Sequence, residues 1–175
     1  MKGYNTPALK RELSNYISGY VDGEGCFSVS FSKREKLKVG WEVKPSFAIG
    51  QNFDRREVLD LIKECFQCGF MRRDYADKTL KYEVRSLDDL LTHIIPHFDC
   101  FPLKSSKQKD FLLFADICKK MKHNEHHTAE GFGKIAALAY RMNGSGKRKY
   151  SLEHILCSLS AEDIVYASMK IGEIT

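Results

Sequence analysis

No apolar stretch in this chain approaches the roughly 20 residues that a helical membrane span needs. The first residues, MKGYNTPALKRE, lack the apolar core of a secretory signal. No low-complexity tract, Pro/Gly/Ser linker or short tandem repeat divides the sequence, which excludes a repeat array and a string of linked modules. A second CxxC pair is missing too. Cys65-Phe-Gln-Cys68 stands alone, and the one histidine cluster, His123-Asn-Glu-His126-His127, follows a lysine-rich helix end. A zinc site needs more ligands at set spacing, so these groups read as a helix terminus and a solvated loop. The six cysteines, Cys26, Cys65, Cys68, Cys100, Cys118 and Cys157, are scattered. They read as reduced thiols of an intracellular chain, four of them in core surroundings.

What is present suits one compact domain. The chain has 175 residues, 43% hydrophobic and 29% charged, enough for a single core. Lys plus Arg is 28 against 23 Asp plus Glu, a net charge of +5. That excess permits a nucleic-acid partner without demanding one, so the placement of the positive charge decides.

Residues 13–23 read as a helix with Leu13, Ile17, Tyr20 and Val21 on its apolar face, ended by Gly23 and Gly25. Residues 26–33 alternate, with Phe27, Val29 and Phe31 against Ser28, Ser30 and Ser32, as a half-buried strand does. Residues 39–50 alternate too, with Val39, Trp41, Val43, Phe47 and Ile49 against Glu42, Lys44, Ser46 and Ala48. Lys33–Lys38 forms a basic connection between the two strands. Asp54 is placed to cap a helix over about 55–67 carrying Val58, Leu59, Ile62 and Phe66 inward. Strands near 69–74 and 80–86 follow. Ser86 opens a helix to about Phe98, Ser105 or Ser106 starts a long one through Lys122, and 128–142 and 151–171 read as further helices. The order is α-β-β-α-β-β-α plus a helical tail, an α+β fold with a largely antiparallel sheet. One sheet face then carries Ser28, Ser30, Ser32, Arg34, Glu42, Lys44, Ser46, Arg72, Lys81, Glu83 and Arg85. Such a face is either simply wet or a platform whose mixed hydroxyl, basic and acidic groups read base edges.

The chemistry-bearing segment is Leu13–Ser28. Gly19 and Gly23 lie four apart on one side of the helix. With Ser18 they offer a small-residue face where a second backbone can come close, either another helix or the protein's own sheet. Glu24 follows the last turn, where the helix dipole is negative and a carboxylate is disfavoured by about 0.3–1 kcal/mol. Pairing two such helices brings two Glu24 carboxylates together and adds repulsion. Divalent cations reverse the sign of both effects, because hard cations prefer oxygen ligands. Carboxylates sharing metals in this way are what metal-assisted phosphodiester hydrolysis needs. The plain alternative is an exposed acid that begins a loop.

Ile17-Ser-Gly-Tyr-Val-Asp-Gly-Glu-Gly25 resembles the signature of the LAGLIDADG homing endonucleases. It departs from it in Ser18 for alanine, Tyr20 for leucine or phenylalanine, and Glu24 for aspartate. Phe47-Ala-Ile-Gly-Gln51, followed by Arg55 and Arg56, resembles the family's second strand and the polar residues beyond it. Leu103-Lys-Ser-Ser-Lys-Gln-Lys-Asp-Phe111 resembles its basic segment before a long helix. The likeness covers about residues 10–157.

The resemblance implies the αββαββα homing-endonuclease fold, with a saddle-shaped antiparallel sheet and C-terminal helices. It implies one domain over 1–175, with a core of about 10–157 and a helical extension of about 158–175. The activity it implies is that of a site-specific enzyme making double-strand breaks in a long pseudo-palindromic double-stranded DNA target. Hydrolysis would depend on Mg²⁺, with Mn²⁺ or Ca²⁺ also able to occupy the site. A single motif copy implies a homodimer, because Leu138-Ala-Tyr-Arg-Met-Asn-Gly144 has no acid in the right place, and the family resemblance implies an intron-encoded protein. No membrane partner is implied. The expected location is intracellular, in a chloroplast or mitochondrion or in a bacterial cytoplasm.

By the same resemblance Glu24 is the catalytic metal ligand and Gly23 offers it a carbonyl. Ser18, Gly19, Asp22 and Gly23 form the dimer interface. Gln51 and Lys104, supported by Arg55, organise the water around the nucleophile, with Lys107 as the other candidate lysine. The polar sheet residues, with Ala48 and Asp74, become DNA contacts, and Lys107 joins them. Arg72 and Arg85 are placed to fork onto guanine, while Lys44 and Lys81 do the same or hold phosphate. Lys147-Arg148-Lys149 fits a phosphate-binding loop. An intron maturase, or a DNA-binding relative that no longer cuts, is the competing reading. Intact Glu24, Gln51 and Lys104 favour cutting.

Overall fold

A computed structural model of the chain describes residues 6–76, 78–144 and 146–159. The chain begins with α1 (Pro7–Glu24), β1 (Gly25–Lys33) and β2 (Trp41–Asn52). A 3-10 turn over Phe53–Arg55 leads into α2 (Glu57–Phe66), β3 (Phe70–Asp74) and β4 (Thr79–Val84). A helical run follows: α3 (Leu87–Asp89), a wider π turn over Leu90–Ile94, and α4 (Ile95–Cys100). Then come α5 (Lys107–Lys122), a 3-10 turn over Glu125–His127, α6 (Ala129–Tyr140) and α7 (Leu152–Cys157). The expected αββαββα order is therefore present. The sheet order is β1-β2-β4-β3, with β4 antiparallel to both of its neighbours. No helix among the described residues is long and apolar enough to cross a membrane.

The described residues fall into two compact units. Those within Met1–Phe27 and Ser46–Lys109 make the first, whose core gathers around Phe47. That ring lies 5.1 Å from Phe27, 5.7 Å from Phe98 and 6.2 Å from Phe66, stacked on the first and edge-on to the others. Ile17, Val21, Leu59, Ile62, Tyr82 and Phe98 are fully buried with it. Burial of each such side chain contributes about 1.5–3 kcal/mol. The second unit, within Ser28–Pro45 and Asp110–Thr175, packs Phe31 edge-on to Phe132 at 5.6 Å. There Trp41 stands edge-on to Tyr150 at 4.9 Å and donates its indole N–H to Ser158 Oγ at 2.7 Å.

Several boundaries differ from the sequence reading, each for a local reason. Helix α1 begins at Pro7 rather than near 13. Thr6 caps it by accepting from Leu9 N, and Pro7 needs no N–H in a first turn. Its first turns are mostly exposed, so they carry no apolar periodicity. Asp54 does not cap α2: it lies inside the 3-10 turn, and Arg56 takes the cap position without a side-chain bond. Ser86 does cap its helix, accepting from Asp89 N, and Thr128 and Ser151 cap α6 and α7. Pro96 cannot donate to Thr92, and the chain widens into the π turn just ahead of it, where Ile95 N–H reaches Leu90 O. Of the cysteines only Cys118 is buried. Cys68 is half-buried and Cys26, Cys65, Cys100 and Cys157 are exposed, so the four core thiols expected from the sequence are not found. Leu112 of α5 is also exposed. The tail helix expected to 171 is seen as α7, and its part from 160 on lies outside the described residues.

His97, in α4, is held neutral by its surroundings. Its ring packs within about 5 Å of those of Phe66, Phe98 and Phe101. Burial pushes its pKa down from 6.5 to about 4. Between those values the unfolded chain takes up a proton that the folded one refuses, so stability falls as the pH drops below about 6.5 and stops falling below about 4. The loss reaches up to about 3 kcal/mol. Urea denaturation at pH 7 and pH 5 should show this slope, and His97→Gln should flatten most of it. An undiminished slope in that variant would contradict the assignment.

Candidate active site

The end of α1 is set by Gly25. A Cβ there would meet Val21 Cγ1 at 2.5 Å and Val21 O at 2.8 Å, so only glycine lets the chain turn into β1 at this point. The preceding residue, Glu24, is exposed, and its carboxylate makes no hydrogen bond or ion pair with any described residue. Beside it, Lys107 Nζ donates to Val21 O at 2.9 Å and to Gly23 O at 3.3 Å. An ammonium on the last carbonyls of a helix is favoured by the dipole as well as by the bonds. Lys107 is thus brought to the motif, whereas the Lys104 side chain is exposed and makes no hydrogen bond or ion pair among the described residues.

Asp22 and Ser18, both expected at the interface, hydrogen-bond within their own chain, Asp22 at the surface and Ser18 buried. Asp22 accepts Lys104 N at 2.8 Å and Ser105 N at 3.0 Å, and also the Ser105 hydroxyl. Partial burial works to raise its pKa, but the hydrogen bonds from Ser105 and Lys104, and then the charge of Lys107, outweigh it and hold the carboxyl below its ordinary range. Asp22 therefore clips the start of α5 to α1, which carries Lys107 to its place. Ser18 is only 6% exposed. Its hydroxyl donates to Phe101 O at 2.7 Å and lies 3.2 Å from His97 Nε2. Gly19 and Gly23 behave otherwise: both are exposed, and a Cβ at either would meet nothing within 4 Å. Neither packs on the protein's own sheet.

Gln51, at the end of β2, accepts Asn52 N at 2.7 Å and donates to Tyr20 Oη at 2.6 Å. Tyr20 is consequently a half-exposed polar partner rather than the core anchor its spacing suggested. Arg55, in the 3-10 turn, is exposed and makes no hydrogen bond or ion pair among the described residues. The structure brings Gln51 to Tyr20, and Lys107 to Gly23.

On the polar sheet face of the first unit, the register sets Ala48, Glu83 and Phe70 in one row and Gly50, Lys81 and Arg72 in the next. Glu83, 7% exposed, anchors that face. Arg85 donates to it twice, at 2.8 and 2.9 Å, Ser46 Oγ at 3.0 Å, and Arg72 lies 3.7 Å away. Burial pushes Glu83 up, while Arg85, Ser46 and Arg72 pull it further down, leaving it ionised. Arg72 and Arg85 remain exposed, while Glu83 orients them and is itself covered. Lys81 is half-buried and unpaired among the described residues. Asp74 is drawn into its own turn, accepting Ala76 N at 3.1 Å.

In the second unit Glu42 plays the same part as Glu83. It lies 3.2 Å from Lys44 Nζ, and it accepts Arg34 Nε at 3.0 Å and Ser32 Oγ at 3.4 Å. The Lys44 ammonium, with Arg34, holds its carboxyl below the ordinary range. Ser30 is exposed and Ser28 half-buried. Arg148 departs from the phosphate role expected of it. Its guanidinium donates to Ala139 O and Met142 O and lies 4.5 Å from the Tyr140 ring. It closes the end of α6, which leaves Lys147 and Lys149 as the exposed cations of that loop.

The donors at the end of α1 fit a hard divalent cation: an unpaired carboxylate and a helix-terminal carbonyl, both oxygen. They fall short of the six or so oxygens such an ion takes, by roughly four. Among the described residues no cluster of three or more His, Cys, Asp and Glu completes a set.

Comparison with known proteins gives the family. The LAGLIDADG endonuclease family matches residues 17–118, and the chain belongs to that family. It is 31% identical over 150 residues to homing endonuclease I-ApeII of Aeropyrum pernix, covering 82% of this chain and 88% of that one. It is 34% identical over 122 residues to the probable intron-encoded endonuclease 2 of Neurospora crassa, covering 69% of this chain. The chain spans only 27% of that fungal relative's length. Among solved structures, the archaeal intron-encoded homing endonuclease I-Vdi141I, complexed with DNA, matches with a TM-score of 0.78 at 28% identity, over 91% of this chain and 99% of that one.

The clip has a measurable consequence. Asp22→Ala removes acceptors from two backbone N–H groups at a helix start, which costs about 1 kcal/mol, and releases the segment that carries Lys107. Thermal unfolding should report the loss, with faster amide exchange at Lys104 and Ser105. Unchanged exchange at both amides would show that Asp22 does not hold them.

Proposed function

We propose that the protein is a site-specific, metal-dependent endonuclease that makes double-strand breaks in a long pseudo-palindromic DNA target as a homodimer. The observation that carries this reading is the exposed Glu24, unpaired among the described residues, at the end of a helix whose Gly19 and Gly23 face is open. Two copies of α1 apposed along that face bring two Glu24 carboxylates and two Gly23 carbonyls to one centre. A bound divalent cation, Mg²⁺ with Mn²⁺ or Ca²⁺ as substitutes, supplies the positive charge that favours water deprotonation and stabilises the leaving oxygen.

The chain's own residues do the rest. Glu24 and Gly23 hold the cation. Gln51 orients water near the scissile phosphate, and Arg55 lends positive charge beside it. Lys107 takes the role of the active-site lysine, a choice supported by its bonds to Val21 O and Gly23 O. Lys104 then serves as a phosphate contact. Arg72 and Arg85, held by Glu83, offer donors to base acceptors in the major groove, with Lys81 beside them. Ser46 and Ala48 lie on the same face. Arg34, Lys44 and Ser32 around Glu42 do likewise, with Ser28 and Ser30 next to them. Lys147 and Lys149 hold backbone phosphates, so binding should weaken steeply with salt.

Glu24→Gln keeps the shape and removes the charge. It should retain DNA binding and lose cleavage by about 10³-fold, the scale of several kcal/mol of transition-state stabilisation. A variant that cuts at the wild-type rate would sink this site. Gly19→Leu tests the pairing. A Cβ there meets no neighbour within 4 Å among the described residues, and replacing a mid-helix glycine favours the fold by up to about 1 kcal/mol. The monomer should stay folded while sedimentation shows the dimer dissociating. A Gly19→Leu protein that stays dimeric would place the seam elsewhere.

A further inference from the structure

The Gln51 amide has a definite orientation. A backbone N–H only donates, so the Gln51 atom 2.7 Å from Asn52 N is the oxygen. The nitrogen then falls to Tyr20, whose Oη lies 2.6 Å away and accepts. After these two bonds the amide keeps one N–H and one oxygen lone pair, each with its direction fixed. A water that accepts from the first and donates to the second is held in one orientation. Without Tyr20 the amide is held at its oxygen alone, and its nitrogen swings about that point.

We propose that Tyr20 is a positioning residue of the DNA-cutting site, whose hydroxyl fixes the Gln51 amide for its work on the attacking water. The inference rests on the endonuclease reading above and adds to it a residue whose work is done through another. Three features support it. Tyr20 lies one helical turn before Glu24, on the same side of α1, so the bond ties Gln51 to the helix that delivers the carboxylate. The Tyr16 ring lies 6.2 Å from that of Tyr20, tilted against it. The hydroxyl is also what distinguishes Tyr20 from the leucine or phenylalanine expected at that place in the motif. An apolar residue would fill the same space and leave the Gln51 nitrogen unheld.

The test uses the full chain and a target duplex recovered from a randomised plasmid library. Single-turnover cleavage is measured with Mg²⁺, and DNA affinity with Ca²⁺. Tyr20→Phe should slow cleavage about tenfold, the scale of a misplaced catalytic group, with affinity and melting temperature unchanged. In a Gln51→Ala background it should slow cleavage no further, because Tyr20 acts through Gln51. Full activity in Tyr20→Phe while Glu24→Gln is silent would overturn the inference and spare the site. A full tenfold loss added on top of Gln51→Ala would overturn it as well. Active Glu24→Gln would instead overturn the underlying reading. The Gln51 side-chain amide gives a readout that needs no cleavage. Its two proton resonances should be well separated in the native protein and converge in Tyr20→Phe. Resonances that are the same in both proteins would refute the hydrogen bond itself.

Discussion

The end of α1 carries more negative charge than the described residues answer. The last carbonyls of a helix have no intrahelical donor, the dipole adds a partial charge, and Glu24 adds a whole one. Lys107 bonds one of those carbonyls, Gly23 O, together with Val21 O, which also takes the Gly25 N–H, and leaves the carboxylate alone. Much of the first unit serves to keep this arrangement in place. Gly25 lets the strand leave where a side chain would strike Val21. Asp22 fixes the start of α5 so that Lys107 reaches the helix end. The Phe47 cluster buries Ile17 and Val21 beneath it.

The same logic shapes the polar sheet face. A carboxylate with little exposure is costly unless cations answer it, and Glu83 is answered by Arg85 and Arg72 with Ser46 beside them. Arg85 is then held by two hydrogen bonds to Glu83 and Arg72 by an ion pair, while both still face out. Less side-chain entropy remains to be lost when such a group meets a ligand. Glu42, Lys44 and Arg34 repeat the device in the second unit at a more exposed position, where each ion pair contributes less.

What the sequence revealed was what its neighbours in sequence decide. The alternation of Phe27, Val29 and Phe31, and of Trp41, Val43, Phe47 and Ile49, is reproduced in the burial of β1 and β2. Ser86 announced its helix by a local cap. The glycine face and the free Glu24 were also legible, because nothing distant contradicts them. Partners far along the chain were not. Ser18 and Asp22 read as interface residues until Phe101 and Ser105, some 83 positions later, took their bonds. Tyr20 matched the apolar stripe by spacing, and only Gln51, 31 residues on, gives its hydroxyl a purpose. A tyrosine where the motif takes leucine or phenylalanine was the available hint, since a buried or half-buried phenol usually has a partner. The Thr6-Pro7 start of α1 had its signal too, but the exposed turns after it lack the periodicity that marks a helix.

The central claim is that each chain holds half of a cutting centre built around Glu24. Sequencing the ends produced when the protein, with Mg²⁺, cuts a randomised plasmid library tests it most directly. The account predicts paired breaks at one fixed offset between strands, within sites whose two halves are related by two-fold symmetry. No cleavage, single-strand nicks alone, or breaks in sites with no two-fold relation would contradict it.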